Sequence, residues 1–320
     1  MSDNRTEIND LSPTSLNHLI GQKKVVEQLR VAIDAAFEDG KKMDDALLVG
    51  PPGLGKTQCC KVIAAELASV CHEVLGQAIE CSADLNAVLL AAKDKDIVFF
   101  DECHELPKEH QTALYLAIDQ RKINLAGGRS GRSPQSIPIA NFTLLLATTD
   151  EFCLLQPLRD RMKLTLRFEF YTEADLIELT RQRCRALNWP VDDEVFSLIA
   201  QRSRGTPRLA LRLLQSCRRV VRSEGQSRIT PNQLERACSL EGIDELGLGV
   251  TEQRFLEIVA ADASRLNVIA SLLGLPARTV SQVIEPFLLR VGLIVKDDQG
   301  RRQLTAAGRD HLSQNRQVGD

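Results

Sequence analysis

Residues 45–57 read Asp-Ala-Leu-Leu-Val-Gly-Pro-Pro-Gly-Leu-Gly-Lys-Thr, the segment with the most specific pattern in the chain. Its apolar start is typical of a short buried strand, and the Gly/Pro turn leads into a helical pattern that extends to about residue 70. Residues 50–57 fit the pattern G-x-x-x-x-G-K-[S/T], in which backbone N–H groups at the start of a helix surround phosphate groups. The sequence therefore predicts a phosphate-binding loop between a strand and a helix.

The loop supplies the first set of candidate ligands for a nucleotide. We expect Lys56 to reach the β and γ phosphates and the hydroxyl of Thr57 to hold Mg²⁺. The full set of expected nucleotide contacts on the loop is Gly50, Pro51, Pro52, Gly53, Leu54, Gly55, Lys56, Thr57 and Gln58.

Two further strands are predicted at residues 97–100 and 142–146, each followed by polar residues. Strands that alternate with helical segments indicate a parallel sheet, in which ligands lie beyond the carboxyl ends of the strands. Asp101 would orient the Mg²⁺ shell, and Glu102 would polarise the water that attacks the γ phosphate. Thr149, at the end of the third strand, could bind the same water or phosphate. Residues 101–104 also imitate a helicase box, but the spacing and the segments that follow do not match a two-lobed helicase.

The second half of the chain has two different patterns. Residues 172–240 are helical in period, with breaks near residues 189, 205 and 225, which predicts a small all-helical domain. Beyond it, helices near 251–261, 265–273 and 276–291 precede two short strands around a polar turn, as in a winged helix. We therefore expect domains at residues 1–171, 172–243 and 244–320. Arginines within 158–161 and 204–208 are candidates for stabilising transition-state charge.

Composition excludes several classes of protein. The chain has 320 residues, 43% of them hydrophobic and 26% charged, a composition that excludes a disordered protein. None of its apolar runs is long enough to span a membrane. Its polar first residues lack a signal peptide, which predicts a cytoplasmic protein. The 9 cysteines include no C-x-x-C pair, so neither a zinc knuckle nor a disulfide framework is expected. Because the net charge is −3, any nucleic-acid surface must be local.

Together these motifs resemble those of the AAA+ ATPases and, among them, the bacterial RuvB family of Holliday-junction branch-migration ATPases. The resemblance extends from about residue 19 to about residue 312. Its most specific parts are residues 50–57, 142–149, 157–161, 204–208 and 283–301. It implies an α/β fold: an AAA+ parallel-sheet P-loop ATPase domain, a small helical lid domain and a C-terminal winged-helix domain.

The resemblance also implies roles for individual residues. Arg161 matches the arginine finger that reaches a neighbouring subunit's nucleotide, Arg208 matches the sensor arginine of the lid, and Thr149 matches the first sensor. Tyr171 stands where the family has a nucleotide contact. The hairpin 123–139, with Gly127, Gly128 and Gly131 at its tip, corresponds to the segment that docks on the junction-binding partner RuvA. On the wing, Lys296 and Arg301 match the family's DNA-binding basic positions, and Arg302 adds a further charge.

The chain departs from the family pattern in the adenine-side approach, in a triplet that in the family meets the adjacent subunit, and directly after Arg161. Ser12 replaces an arginine before Pro13, Asp119-Gln120-Arg121 replaces an acidic-acidic-tyrosine triplet, and Met162-Lys163 replaces Phe-Gly. Two hypotheses follow. The first is an ATP-driven DNA motor, a homo-oligomeric ring of six subunits acting on duplex or four-way-junction DNA. The second is an ATP-dependent DNA-binding switch or loader with little turnover, which the altered interface residues favour.

Overall fold

A computed structural model describes residues 13–125, 135–262 and 265–318. Ser12 and the hairpin-tip residues Gly127, Gly128 and Gly131 lie outside these ranges. Within them, no helix combines the length and apolar character needed to cross a bilayer. The chain divides into two compact units. The first comprises the residues up to Leu179 together with Thr206–Arg208, and the second comprises Thr180–Gly205 and the residues from Leu209 onward.

The first unit is built on a five-stranded parallel sheet with the order β2-β3-β6-β1-β7. The strands of this unit are β1 (Ala46–Val49), β2 (Cys71–Leu75), β3 (Ile97–Asp101), β4 (Lys122–Leu125), β5 (Gln135–Pro138), β6 (Thr143–Thr148) and β7 (Leu164–Arg167). The predicted parallel sheet is confirmed, and the carboxyl ends of β1, β3 and β6 meet at one edge. Strands β4 and β5 form a separate antiparallel hairpin.

Helices cover both faces of this sheet. They are α1 (Lys23–Glu38), α2 (Lys56–Glu66), α3 (Ser82–Ala91), α4 (Lys108–Gln120) and α5 (Gln156–Arg159). Side chains alternate across a strand, so Phe99 and Phe100, both fully buried, enter opposite layers of the core. Helices α1 and α2 pack on the Phe99 side, and α3, α4 and α5 pack on the Phe100 side. Burial on both faces explains why β3 and β6 are nearly all apolar.

The second unit contains the predicted helical segment and the winged helix. Helix α6 (Glu173–Ala186) begins in the first unit and is followed by α7 (Asp193–Arg202), α8 (Pro207–Ser223) and α9 (Pro231–Glu241). The winged helix contains α10 (Val250–Ala260), α11 (Leu266–Leu273), α12 (Ala277–Thr279), α13 (Glu285–Arg290), β8 (Ile294–Lys296), β9 (Arg302–Leu304) and α14 (Ala306–Val318). The domain limits at 171/172 and 243/244 remain predictions.

The third helix of the winged helix is interrupted. Residues Val280–Ile284, between α12 and α13, form a π-helix. Pro286 is the second residue of α13 and has no N–H to donate to the preceding turn, which is consistent with a wider turn at this place. Val280, Ile284 and Leu288 nevertheless keep one buried face through the interruption, together with Phe255 of α10. The single helix predicted over 276–291 is therefore formed by α12, a π-helical turn and α13 rather than by one uninterrupted α-helix.

Candidate nucleotide and DNA sites

The phosphate loop ends in a backbone conformation that suits glycine. Gly55 has a φ of 95°, in the left-handed region where a side chain would be strained, and α2 begins at the next residue. No side chain caps the N-terminus of α2, so its first N–H groups remain available. A helix N-terminus of this kind attracts an anion through its N–H groups and its dipole.

Lys56 places a positive charge inside this loop. Its side chain is buried, and the ammonium donates hydrogen bonds to the carbonyl oxygens of Gly50 (2.7 Å) and Pro51 (3.1 Å). Burial lowers the pKa of Lys56, while the carboxylates of Glu102 and Asp101 act in the opposite direction. An ammonium that has only carbonyl dipoles as direct partners is well placed to exchange them for phosphate oxygens.

Thr57 and Asp101 form the oxygen pair expected for a divalent cation. The hydroxyl of Thr57 donates to Oδ2 of Asp101 at 2.7 Å, so the start of α2 and the end of β3 bring the two groups together. A hydroxyl and a carboxylate are hard oxygen donors of the kind that Mg²⁺ prefers. The donor set therefore fits this ion.

Glu102 turns sharply out of β3. Its φ is 48°, which is unusual for a residue with a side chain, and its N–H donates to Oδ1 of Asp101 at 3.0 Å. The turn brings the Glu102 carboxylate within 3.4 Å of the Thr149 hydroxyl, which donates to it. The residues that directly follow β3 and β6, 47 positions apart in sequence, are thus brought together.

His104 is a residue that the motif analysis did not assign to the site. It lies in a short 3₁₀ helix, Cys103–Glu105, with Nδ1 at 3.4 Å from Oε2 of Glu102 and at 3.1 Å from the hydroxyl of Thr148. Its Nε2 lies 3.4 Å from a carboxylate oxygen of Glu105. His104 lies two positions after Glu102, and the tight turn that follows β3 folds it back beside that carboxylate. This short spacing in the sequence is the signal that could have assigned His104 to the site.

Arg208 and Tyr171 both contact the phosphate loop. The N–H of Arg208 donates to the carbonyl of Gly53 at 3.4 Å, and a Cβ on Gly53 would lie only 3.0 Å from Cβ of Arg208. Glycine at this position therefore permits the close approach. The hydroxyl of Tyr171 donates to the carbonyl of Leu54 at 3.5 Å, and burial raises the pKa of Tyr171 to about 12. Arg208 as a whole is an exposed residue.

Arg161 has its partners away from the phosphate loop. Its Nε lies 2.7 Å from both carboxylate oxygens of Asp119, its Nη1 donates to the carbonyl of Pro157, and its guanidinium lies 4.7 Å from the Tyr115 ring centre. Asp119 is the first residue of the altered triplet, and Gln120 beside it is exposed. The candidate finger is thus held by a carboxylate of its own chain.

The other altered positions take part in the packing of the first unit. Arg121 ends α4 with a φ of 50°, and its guanidinium lies 5.8 Å from the centre of the Phe142 ring. Met162 is buried in the core, and Lys163 forms an ion pair with Asp44 at 2.7 Å. Each of these substituted side chains thus has a contact within its own chain.

The winged helix contains a buried carboxylate, Glu285 at the start of α13, beside the three candidate DNA-binding cations of the wing. Glu285 is fully buried and pairs with Arg302 (2.5 Å) and Lys296 (2.9 Å). Burial raises the pKa of Glu285, but the bonds from Arg302 and Lys296 outweigh this effect and hold the pKa below its usual value. Arg302, expected to add a further DNA-binding charge, is instead buried against Glu285. The side chain of Arg301 is exposed.

Arg204 also differs from its expected place among the charge-stabilising arginines. Its guanidinium donates to the carbonyl of Gly247 and to Glu252, both in the second unit. The candidate role in the 204–208 segment therefore falls to Arg208.

Comparison with known proteins identifies the family. Three family models match in order: the Holliday junction DNA helicase RuvB P-loop domain at residues 11–168, the RuvB AAA lid domain at 171–244, and the RuvB C-terminal winged helix domain at 245–313. The chain is 37% identical over 308 residues to the Holliday junction branch migration complex subunit RuvB of Kosmotoga olearia, covering 94% of this chain and 90% of that protein. The chain belongs to the RuvB family.

Other relatives agree with this assignment. The RuvB subunit of Neorickettsia sennetsu is 35% identical over 309 residues, covering 95% of this chain and 93% of the relative. A structure described as the Thermotoga maritima RuvB Holliday junction branch migration motor matches with a TM-score of 0.81 at 33% identity, covering 94% of this chain and 97% of that one. A mutant of the same RuvB matches with a TM-score of 0.84 at 34% identity, covering 95% and 99%. The resemblance and the AAA+, lid and winged-helix fold predicted from sequence are therefore confirmed.

Proposed function

We propose that this chain is an ATP-hydrolysing DNA motor that drives branch migration of Holliday junctions. The observation that carries the proposal is that five polar side chains lie together at the carboxyl ends of the strands: Lys56, Thr57, Asp101, Glu102 and Thr149. The chain that holds them matches RuvB models as far as the C-terminal winged helix. A pure binding module has less need for a carboxylate such as Glu102 at the place where water must be activated.

Phosphate binding is assigned to the loop and its lysine. The N–H groups at the start of α2 and the ammonium of Lys56 would bind the phosphate oxygens, replacing the carbonyl contacts to Gly50 and Pro51. Thr57 and Asp101 would hold Mg²⁺, which when bound neutralises phosphate charge. Gln58 follows Thr57 in α2, and Tyr171 adjoins Leu54, so both remain candidate nucleotide contacts.

Water activation is assigned to Glu102. Its carboxylate would orient the attacking water and accept its proton, with the Thr149 hydroxyl fixing one oxygen of that carboxylate. Arg208 would contact the γ phosphate from beside Gly53. Arg161 would act on the nucleotide of a neighbouring subunit, and to do so it must leave Asp119.

Assembly and partners form a separate part of the proposal. A finger that acts on another subunit requires a homo-oligomeric ring, and family likeness favours six subunits. The antiparallel pair β4–β5 is proposed to support a contact with a RuvA-like protein through the hairpin 123–139. On the wing, Arg301 and Lys296 would bind DNA phosphates, giving affinity without sequence preference and a steep dependence on salt.

The decisive experiment is steady-state ATP hydrolysis with and without synthetic four-way-junction DNA. We expect junction DNA to raise turnover and Glu102→Gln to lower kcat by about 10²–10⁴-fold, since the general base is removed while binding groups remain. Glu109→Gln, at an exposed carboxylate of α4, is the matched control and should retain wild-type turnover.

The same assay separates the motor from the switch. Wild-type protein that binds ATP but turns over no faster than Glu102→Gln, with or without junction DNA, would contradict the motor and support an ATP-dependent switch or loader. Stimulated turnover that disappears in Glu102→Gln would support the motor, and branch migration would then be measured directly on mobile junctions.

A further inference from the structure

Arg204 connects the loop before Arg208 to the winged helix. It has a φ of 54° and lies four positions before Arg208 in the chain. Its Nε donates to the carbonyl of Gly247 at 2.7 Å, Nη2 donates to the same oxygen, and Nη1 donates to Oε1 of Glu252 at 2.7 Å. One planar guanidinium therefore holds both the segment that enters the winged helix and the first turn of its first helix, α10.

The opposite side of the same contact comes from α13. The guanidinium of Arg204 lies 4.4 Å from the centre of the Phe287 ring, and that of Arg290 lies 5.2 Å from the same ring. Arg290 also donates to the backbone carbonyl of Arg204 at 2.7 Å. Both the side chain and the backbone of Arg204 are thus held by the winged helix.

The contact is substantially removed from water. Only 16% of the Arg204 side chain and 15% of the Glu252 side chain are exposed, so their ion pair is weakly screened. Burial and the neighbouring charge of Arg204 lower the pKa of Arg290. Two arginines beside one ring are compatible because Glu252 balances one charge and the ring face attracts both. A lysine could supply the charge but not the planar group that makes three hydrogen bonds and stacks.

We propose that Arg204 is a positioning residue that transmits DNA binding at the winged helix to the sensor arginine Arg208. The geometry behind this is that α10 and α13 both contact Arg204, the first residue of the 204–208 loop. The last residue of that loop, Arg208, contacts the phosphate loop at Gly53. The inference rests on the proposed DNA-stimulated ATPase. It adds the route by which stimulation reaches the nucleotide.

Arg204→Lys tests the route while keeping the charge. We expect duplex affinity to stay within about twofold of wild type, and basal kcat and the KM for ATP to change little, because Arg208 and the phosphate loop are intact. Stimulation of kcat by DNA should fall by about fivefold or more, the usual lower bound of coupling between two sites. Phe287→Leu keeps an apolar side chain but removes the ring, and should lower stimulation in the same direction. Arg254→Lys, at an exposed arginine of α10, is the matched control.

The possible outcomes are distinguishable. If DNA stimulates the wild type and stimulates Arg204→Lys equally, the positioning role is overturned and the proposed motor is unaffected. Basal and stimulated turnover that fall by the same factor would also overturn it, because they would indicate a local structural role. A wild type whose turnover and ATP affinity both ignore DNA would overturn the coupling and the proposed motor together.

Discussion

The phosphate loop and the winged helix both hold cationic side chains, but the partners of these cations differ. At the loop, Lys56 is held by two carbonyl oxygens and Thr57 by Asp101, and an incoming phosphate or cation could replace these contacts. In the winged helix, Glu285 of α13 is fully buried and already binds Arg302 and Lys296 of the wing strands. A cluster of cations in the sequence therefore indicates a binding surface only where those cations are not already paired with a buried carboxylate.

The greatest loss of activity is expected at Arg161, a candidate catalytic arginine of the first unit that is already paired with Asp119. Arg161→Ala should lower kcat by about 10³-fold or more if the finger completes a neighbouring subunit's site. Arg167→Ala, which removes an exposed arginine paired with Glu151, should leave kcat near wild type. Steady-state turnover at a protein concentration that supports assembly is the measurement.

Mixing two inactive variants sharpens this test. Arg161→Ala retains its phosphate loop, and Lys56→Ala retains its finger, so mixed assemblies would contain some complete sites. Turnover of the mixture should exceed the sum of the separate variants. A mixture with no gain would show that Arg161 does not act across a subunit boundary.

The next effect concerns the stability of the winged helix. Glu285→Gln leaves Arg302 and Lys296 without their buried counter-charge and should lower the local free energy of unfolding of the winged helix by about 3–5 kcal/mol. The exposed pair of Arg254 and Glu257 supplies the control, since Glu257→Gln should change it by about 0–1 kcal/mol. Amide hydrogen exchange of the full chain measures both.

The pH dependence of the same pair has a definite sign. The pKa of Glu285 is lowered on folding, so the pair's contribution is fully present above the ordinary glutamate pKa of about 4.3 and is lost as pH falls toward the lowered value. Glu285→Gln should remove this part of the acid sensitivity. Equal acid sensitivity in the variant and the wild type would contradict the ion-pair assignment.

The smallest effects concern DNA binding by individual wing residues. Arg301→Ala should reduce the slope of log affinity against log salt by about 0.9, the value for one lost phosphate contact. Lys296→Ala should reduce it less, because its ammonium is shared with Glu285. Duplex titrations at several salt concentrations measure both slopes, and equal slopes for the two variants would contradict the difference described here.

Much of the nucleotide site was predictable because its chemistry is encoded locally. Glycine positions set the turn before α2, and polar residues at the ends of β3 and β6 meet once the sheet is parallel. Strands β2 and β7 were not predicted, because they lie at the sheet edges and lack a continuous buried apolar run. The pairs that sequence reasoning missed join distant positions: Asp119 and Arg161 are 42 residues apart, and Glu285 and Arg302 are 17 apart.

Strand β7 bears on how copies of this chain can associate. Among the strands that the structure describes, it pairs only with β1, so one row of its backbone N–H and C=O groups faces away from the sheet. The strand is only four residues long, with charged Lys163 before it and charged Arg167 at its end, each tied to an acidic neighbour. A short edge flanked by charge discourages another chain from adding a strand and so from extending the sheet into an aggregate. At the β7 edge, copies of this chain would accordingly associate through side chains rather than through added backbone hydrogen bonds.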